Sequence, residues 1–216
     1  MFVDFDAQGN LTDTSKAEDS NLTVMDLLTE KAEIKEVIQH MEKWDIISSS
    51  SALAVTNTFI SGKGKEYRLM SALESIRDKY DFILIDTPPA LSILTTNALT
   101  ASTGIIITAQ ADRYSLKSIA QLYTTIETVK KYSNARLEVK GILLTRYNGR
   151  SILSRDLAEM IEKAAQKMNM RVFKAKIREA IAIKESQAKR EDIFSYAPKS
   201  NAARDYDAFI DELLRS

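Results

Sequence analysis

The stretch YDFILIDTPP, residues 80–89, is the most informative part of this sequence about the fold. Its four apolar residues, 82–85, run directly into Asp86, and Pro88 and Pro89 then prevent the strand from continuing. An apolar run that does not alternate with polar residues is typical of a strand buried on both faces. The stretch therefore predicts an α/β fold, in which a mostly parallel sheet has helices on both faces.

Asp86 stands at the carboxyl end of this predicted strand, where open parallel sheets bind their ligands. A carboxylate at such a position is typical of a residue that holds Mg²⁺ against a nucleotide phosphate. The N-terminus repeats the pattern, since residues 1–6 predict a short strand that ends in Asp6, and Gly9 suits the turn that follows. Two such acids at one edge of a sheet can share a cation. The alternative is that each aspartate caps the next helix or turn.

Short apolar strands and helical patterns alternate along nearly the whole chain, which is the signature of βαβ units. Strands are predicted at about 1–5, 44–48, 82–86, 104–108, 139–145 and 170–173. Helices are predicted at about 23–29, 31–42, 65–79, 93–101, 116–132, 152–168, 179–189 and 201–214. With no recognisable linker, the pattern favours one domain, residues 1–216.

Composition excludes several classes of site. The chain has no cysteine, which rules out disulfides, thiol nucleophiles, iron–sulfur clusters and zinc-thiolate sites. Its single histidine, His40, is expected to be structural and to lie at a helix end, because no second histidine completes a metal site. No apolar run approaches the roughly 18 residues of a membrane span, and the acidic N-terminus is unlike a signal peptide. A cytoplasmic protein without a membrane partner is expected.

Charge is unevenly distributed although the formal net charge is zero. Residues 1–50 contain 11 Asp and Glu against 4 Lys and Arg, whereas residues 113–190 contain 18 Lys and Arg against 7 Asp and Glu. The basic surplus is consistent with solvated helix faces or with a surface that binds a polyanion, and charge alone does not choose between them.

Five segments, in this order along the chain, resemble the ParA/Soj family of partitioning ATPases, which belongs to the deviant Walker A group of P-loop proteins. The segment DFDAQGN at 4–10 is similar to the second-strand motif, with Ala7 in place of the usual proline, and 82–89 is similar to the Walker B strand and switch. The remaining similar segments are 91–101, 141–148 and 196–203. The resemblance spans essentially all of residues 1–216.

The resemblance implies a P-loop NTPase-like fold with ATP and Mg²⁺ as cofactors. By that resemblance Asp6 is the catalytic acid that orients the attacking water, and Asp86 holds Mg²⁺ through a water molecule. Thr87, Pro88 and Pro89 form the switch that senses the γ-phosphate.

Further positions follow from the same resemblance. Thr145 and Asn148 fall on the adenine side, and Arg178 falls near the base and the DNA-facing side. Candidate contacts to DNA phosphates, made without reading sequence, are Arg146, Arg150, Lys174, Lys176 and Arg178, with Lys117, Arg155, Lys189 and Arg190 as further cations of the basic segment.

The large departure from the family is the phosphate-binding loop. Family members begin with a strand and a loop of the KGGxGKT type, whereas none of the six glycines here forms GxxxxGK[ST]. Residues 62–65, Gly-Lys-Gly-Lys, have the wrong spacing and are expected to form a surface loop. We therefore expect a chain whose first strand and P-loop are absent, with unpaired backbone on the neighbouring strands and impaired hydrolysis.

Two functions fit this sequence. The first is a ParA-like ATPase for plasmid or chromosome partitioning, which dimerises with ATP, binds DNA non-specifically at the nucleoid and is stimulated by a ParB-like protein. The second is a non-catalytic partner that pairs with a full-length relative and regulates it.

Overall fold

The computed structural model describes residues 1–17, 22–56 and 60–215. These residues form two compact units. Unit 1 comprises Met1–Ser102 and Thr128–Arg136, and unit 2 comprises Thr103–Glu127 and Leu137–Ser216. Each unit contains a sheet with parallel strands and several helices. The predicted α/β class with a mostly parallel sheet is confirmed.

Unit 1 is built on a four-stranded sheet with the order β2-β3-β1-β4. Its strands are β1 (Phe2–Asp4), β2 (Ile38–His40), β3 (Asp45–Ile47) and β4 (Leu84–Asp86). β1 lies in the centre and runs parallel to both β3 and β4, whereas β2 pairs antiparallel with β3. The register places Phe2 between Ile46 and Leu84, and Asp4 beside Asp86.

Short helices surround this sheet. They are α1 (Asn10–Thr14), α2 (Val24–Leu28), α3 (Ile34–Val37), α4 (Arg68–Glu74) and α5 (Ile93–Ala101), with 3₁₀ turns at Ser51–Val55, Lys65–Tyr67 and Arg77–Lys79. Val3 and Phe5 are fully buried in the core of this unit, together with apolar residues of α2 and α4. Helix α5 begins where predicted because Ser92 accepts a hydrogen bond from the backbone N–H of Leu94.

Two predicted helices of unit 1 are wrong in extent. The helix predicted at 31–42 ends at Val37, and the chain continues as β2 because pairing with β3 outweighs helix propensity. His40 therefore lies on a strand rather than at a helix end, with its Nδ1 2.8 Å from Oδ1 of Asp45. The helix predicted at 65–79 is regular only over α4, with the 3₁₀ turns Lys65–Tyr67 and Arg77–Lys79 before and after it.

Strand β4 does not have the environment that its apolar sequence predicts. Burial on both faces was expected, but Phe82 and Leu84 are 60% and 51% exposed, whereas Ile83 and Ile85 pack against the core of unit 1. The reason is topological. Among the described residues β4 pairs only with β1, so one of its edges and the adjoining face remain open.

Unit 2 contains the parallel pair β5 (Gly104–Gln110) and β6 (Glu138–Thr145). Its helices are α7 (Ile152–Lys167), α8 (Ile181–Lys189), α9 (Ile193–Tyr196) and α10 (Asn201–Leu214), and α6 (Arg113–Tyr132) begins in this unit, with its residues from Thr128 onward assigned to unit 1. The strand predicted at 170–173 is reduced to a single bridge between Val172 and Ile142. Among the described residues, no helix is long and apolar enough to cross a membrane.

The segment after α7 follows β6 closely. The backbone N–H of Phe173 donates to the carbonyl of Ile142, and that of Ile177 donates to the carbonyl of Leu144. Gly141 makes this approach possible, since its φ is +147° and a Cβ there would lie 2.8 Å from the ring of Phe173. That ring packs edge-on against Phe209 of α10, with 5.0 Å between the ring centroids.

Candidate functional site

The carboxyl ends of β1 and β4 bring acidic side chains together at one rim of unit 1. Asp4 and Asp86 are partners in the parallel register, and the backbone N–H of Phe5 donates to the carbonyl of Asp86 at 2.8 Å. Asp6 follows two residues beyond Asp4, and its charge acts on the carboxyl of Asp86. The two acids singled out from the sequence, Asp6 and Asp86, therefore lie at the same rim, which we call the acidic rim together with Asp4.

Asp4 is fully buried, and its carboxylate is occupied by hydrogen bonds. Oδ2 accepts from the backbone N–H of Thr12 at 2.8 Å and from its hydroxyl at 2.7 Å, while Oδ1 accepts from the backbone N–H of Asp6 at 3.2 Å. A buried carboxylate requires such partners because desolvation of an unpaired charge is costly. Asp4 was not singled out from the sequence; a carboxylate at the end of an apolar strand, with a threonine eight residues later, is the signal that could have revealed it.

Asp6 is partly buried, and most of its polar atoms are held in place. Its side-chain Oδ1 accepts from the backbone N–H of Gln8 at 3.1 Å. Its carbonyl accepts from the backbone N–H of Gly9 at 3.0 Å and from the hydroxyl of Ser49. Gly9 adopts a φ of +64°, which closes this turn without side-chain strain. Within the described residues the second carboxyl oxygen, Oδ2, has no hydrogen-bond partner.

Asp86 differs from Asp4 because its side chain reaches solvent. Partial desolvation and the negative charges of Asp4 and Asp6 raise the pKa of its carboxyl above the ordinary value, while a hydrogen bond from the backbone N–H of Thr87 acts in the opposite direction. A cation placed here relieves the repulsion between these acids. Thr87 is exposed and Pro88 is partly buried, directly after the end of β4.

The acidic rim fits Mg²⁺ in one limited sense. Within the described residues, no group of three or more His, Asp or Glu side chains is arranged to hold a metal ion. Mg²⁺ is nevertheless commonly bound by one or two carboxylates, with waters and substrate phosphates as its other ligands. Asp86, and Oδ2 of Asp6, provide carboxyl oxygens of that kind, whereas both oxygens of Asp4 are already used.

Unit 2 contains a second candidate site, a cavity of about 570 Å³ that we call the basic cavity. It lies between the loop after β6 and the segment after α7, which runs parallel to β6. Its lining residues are Tyr147, Asn148, Gly149, Arg150, Lys176, Arg178 and Glu179. Four of the residues named from the sequence thus surround one cavity. Thr145 at the end of β6, Arg146 and Lys174 are not among its lining residues.

Several cations of unit 2 are paired with carboxylates. Arg178 is held most firmly, because its Nε and Nη2 donate to the two carboxyl oxygens of Asp205 at 2.6 and 2.7 Å. This hydrogen bonding raises the pKa of Arg178, so its charge is constant at any working pH. Lys176 lies 3.3 Å from Glu162, and its Nζ lies 4.9 Å from the centre of the Tyr147 ring.

The loop after β6 has a strained start and a side-chain cap. Arg146 adopts a φ of +49°, which is uncommon for a residue with a side chain, and its guanidinium lies 3.5 Å from Glu179. Asn148 accepts a hydrogen bond from the backbone N–H of Arg150 through Oδ1 at 3.1 Å. Asn148 therefore stabilises the turn in this structure, and Thr145 bonds weakly to the carbonyl of Ala109 at 3.5 Å.

Comparison with known proteins identifies the family. A family model described as an AAA domain matches residues 1–139. The chain is 33% identical over 211 residues to the sporulation initiation inhibitor protein Soj of Bacillus subtilis, covering 95% of this chain and 82% of that protein. It is 30% identical over 217 residues to the chromosome-partitioning ATPase Soj of Treponema pallidum, covering 99% of this chain and 84% of that protein.

The chain belongs to the ParA/Soj family. Among solved structures, this ParA/Soj protein is similar to cobyrinic acid a,c-diamide synthase from Mycobacterium smegmatis with bound ATP analogue and magnesium. The TM-score is 0.84 at 27% identity, and the match covers 99% of this chain and 81% of that one. The P-loop NTPase-like fold that the sequence resemblance implied is thus confirmed.

Proposed function

We propose that this ParA/Soj protein is a partitioning ATPase that binds ATP and Mg²⁺ at the acidic rim. The observation that carries the proposal is the parallel register of β1 with β4, which sets Asp86 beside Asp4 and places Asp6 at the same edge of the sheet. A relative, the chromosome-partitioning ATPase Soj of Treponema pallidum, has that activity in its name. Carboxylates at the carboxyl ends of parallel strands are suited to a nucleotide-bound cation.

In this proposal the residues of the rim have separate tasks. Asp86 holds a water ligand of Mg²⁺, and Thr87 and Pro88, which follow it directly, respond to the γ-phosphate. Asp6 accepts a hydrogen bond from the attacking water through Oδ2, the carboxyl oxygen without a hydrogen-bond partner among the described residues. Mg²⁺, when bound, neutralises charge on the phosphate oxygens. Asp4 keeps its carboxylate for Thr12 and Asp6 and does not act as a ligand.

The 216 residues contain no recognisable phosphate-binding loop. No GxxxxGK[ST] motif occurs among them, and residues 62–65 form an exposed loop, in which Gly62 and Gly64 have φ values of +96° and +76°. Without backbone N–H groups and a lysine around the β- and γ-phosphates, the acids of the rim add negative charge beside a polyphosphate. We therefore propose that a polypeptide of these 216 residues binds ATP weakly and hydrolyses it poorly.

The basic cavity of unit 2 is proposed to border a DNA-binding surface. Asn148 and Thr145 supply polar groups near one end of β6 and stay the residues proposed, from the family resemblance, for the adenine side, and Arg178 lines the same cavity as Asn148. The exposed side chains of Arg150 and Lys174 are the strongest candidates for contacts to DNA phosphates, and the charge of Lys174 also acts on Glu212. Such contacts are independent of sequence and weaken with salt. Association with the nucleoid in the cytoplasm follows from this proposal.

A second candidate function is a non-catalytic partner of a longer relative. The open edge of β4 favours it, because unpaired backbone and the exposed Phe82 and Leu84 are suited to contact with another chain. In this case the protein pairs with a full-length ParA-like subunit and changes its response to DNA or to a ParB-like protein. In the first candidate function, the protein forms a homodimer with ATP and the ParB-like protein stimulates its own hydrolysis.

A titration with a fluorescent ATP analogue separates these proposals. The ATPase proposal predicts saturable binding that requires Mg²⁺ and that Asp86→Asn weakens by about tenfold, the effect of one charge-assisted contact. The Asp13→Asn variant is the control, because Asp13 is an exposed acid on α1 outside the rim. Equal affinity in both variants contradicts the rim assignment. If no binding occurs, mixing the chain with an intact homologue and measuring that homologue's ATPase rate tests the second function.

A further inference from the structure

A chain of hydrogen bonds connects the ends of β1 and β3 and encloses Asp6. The hydroxyl of Thr12 donates to the carboxylate of Asp4 at 2.7 Å. The oxygen of this Thr12 hydroxyl accepts from the backbone N–H of Ser49 at 2.9 Å. The hydroxyl of Ser49 in turn donates to the carbonyl of Asp6. A continuous network therefore runs from a buried carboxylate on β1, through α1, to the segment after β3 and back to Asp6.

The network holds the backbone of Asp6 on both sides of its Cα atom. Its backbone N–H donates to Asp4, and its carbonyl accepts from Ser49. Because rotation about the backbone of Asp6 would break one of these bonds, the network fixes where its side chain begins. The bond from Gln8 to Oδ1 then leaves Oδ2 as the free oxygen. Networks of this kind limit the arrangements available to a functional group.

We propose that Asp4, Thr12 and Ser49 are positioning residues for Asp6. They do not touch the nucleotide; they hold the Asp6 carboxyl in the one orientation that can act on a water at the acidic rim. This inference rests on the proposed function for the catalytic role of Asp6, but the hydrogen-bond network itself is independent of that role. Its central residue is Thr12, since only a side chain that both donates and accepts can connect Asp4 with Ser49.

The decisive variants change one hydroxyl at a time in the full chain. Thr12→Val keeps the shape of the side chain and removes both of its hydrogen bonds, and Thr12→Ser restores the hydroxyl. Ser49→Ala removes only the bond to the Asp6 carbonyl and is the milder change if Thr12→Val fails to fold. Thr96→Val is the matched control, because within the described part of the chain the Thr96 hydroxyl donates to the carbonyl of Ser92, the N-cap residue of its own helix.

Amide hydrogen exchange measured by NMR reads the network directly. We expect Thr12→Val to accelerate exchange at Asp6 and Ser49 by about tenfold, the effect of losing one buried hydrogen bond. Exchange at Ile47, inside β3, should change much less. Thr12→Ser should return the rates to within a few-fold of the parent chain, and Thr96→Val should leave them unchanged. Unaltered exchange at Asp6 in both Thr12→Val and Ser49→Ala overturns the proposal.

Turnover of MgATP supplies the second measurement. Thr12→Val is expected to lower kcat about tenfold and to leave KM within about twofold, because misplacing Asp6 affects the reaction rather than nucleotide binding. Accelerated exchange at Asp6 with unchanged kcat overturns a positioning role in catalysis. If the parent chain hydrolyses no ATP, the proposed function fails, and the exchange rates alone then decide whether the network positions Asp6.

Discussion

Strands β1 and β4 have the same sequence pattern and very different surroundings. Each is a short apolar strand that ends in an aspartate, and the register places Asp4 beside Asp86. Asp4 is fully buried and bound to Thr12 and Asp6, whereas Asp86 reaches solvent and its pKa is raised. In this sheet the position of the strand, central for β1 and at the edge for β4, determines whether its terminal acid is buried or reaches solvent.

The largest expected difference in the free energy of unfolding is between substitutions of the two apolar residues that pair with Phe2. Ile46 is fully buried and Leu84 is half exposed, although both pair with Phe2. Ile46→Ala should lower the free energy of unfolding by about 2–5 kcal/mol, because it removes buried methyl groups and leaves a cavity. Leu84→Ala should cost less than about 1 kcal/mol. Urea unfolding followed by circular dichroism measures both, and equal costs would contradict the central and edge positions assigned here.

The second largest difference in the free energy of unfolding is expected between substitutions of Asp4 and of Asp86. Asp4→Ala leaves the N–H groups of Thr12 and Asp6 without their acceptor, and we expect a loss of about 2–4 kcal/mol in the free energy of unfolding. Asp86→Asn should instead be neutral or slightly stabilising at neutral pH. The pKa of Asp86 is higher in the folded state than its ordinary value, which applies to the unfolded state. The folded state therefore loses stability as pH rises from below the ordinary pKa through the raised pKa.

The pH dependence checks that sign. The stability advantage of Asp86→Asn over the parent chain should be absent at low pH and should grow as pH rises through the raised pKa of Asp86. Chemical unfolding at several pH values between about 3 and 7 measures this difference. An advantage that instead shrinks towards neutral pH would show that Asp86 is stabilised as a carboxylate.

A third expected effect concerns the open edge of β4. Its unpaired backbone and the exposed Phe82 and Leu84 favour association between copies at high concentration. Leu84→Lys places a charge on this edge and should reduce the sedimentation-derived average mass of concentrated samples towards that of one chain. Met70→Lys, at an exposed position of α4, is the control and should have little effect. If both variants behave alike, the strand edge is not the surface responsible.

The smallest expected effect comes from a third acid of the same sheet, Asp45 at the start of β3. Burial favours its protonated form, but hydrogen bonds from Tyr80 and His40 outweigh this and lower the pKa of Asp45. A lowered pKa gives stability that is present above the ordinary value and is lost as pH falls through that range. Tyr80→Phe should therefore cost about 1 kcal/mol at pH 7 and less near pH 3. Thermal unfolding at the two pH values measures the difference.

Local signals predicted some elements to the residue. Helices α5 and α10 occupy the predicted ranges, about 93–101 and 201–214. Each begins there because a serine side chain caps it: Ser92 accepts a hydrogen bond from the backbone N–H of Leu94, and Ser200 accepts one from that of Ala203. The predicted helix at 31–42 was partly wrong because its second half pairs with β3, and a contact between distant segments has no signature in a local pattern.

The candidate site was predictable to a similar degree. The apolar run before Asp86 indicated a strand that ends in an available carboxylate, but a sequence does not say which strand lies at the edge of a sheet. For the same reason the exposure of Leu84 was not foreseen. Asp4 is hydrogen-bonded to Thr12, 8 residues away along the chain, and Thr12 is hydrogen-bonded to Ser49, 37 residues away. Only the folded backbone brings these groups together.

The ion pairs of unit 2 have a consequence for how a polyanion would be bound. Arg146, Lys176 and Arg178 already have protein carboxylates as counterions. A phosphate that approaches these side chains must displace a carboxylate rather than join a bare cation, and the displaced carboxylate takes up a cation from solution, which offsets part of the cation release from the nucleic acid. The slope of log affinity against log salt concentration should therefore correspond to fewer phosphates than the number of nearby cations suggests.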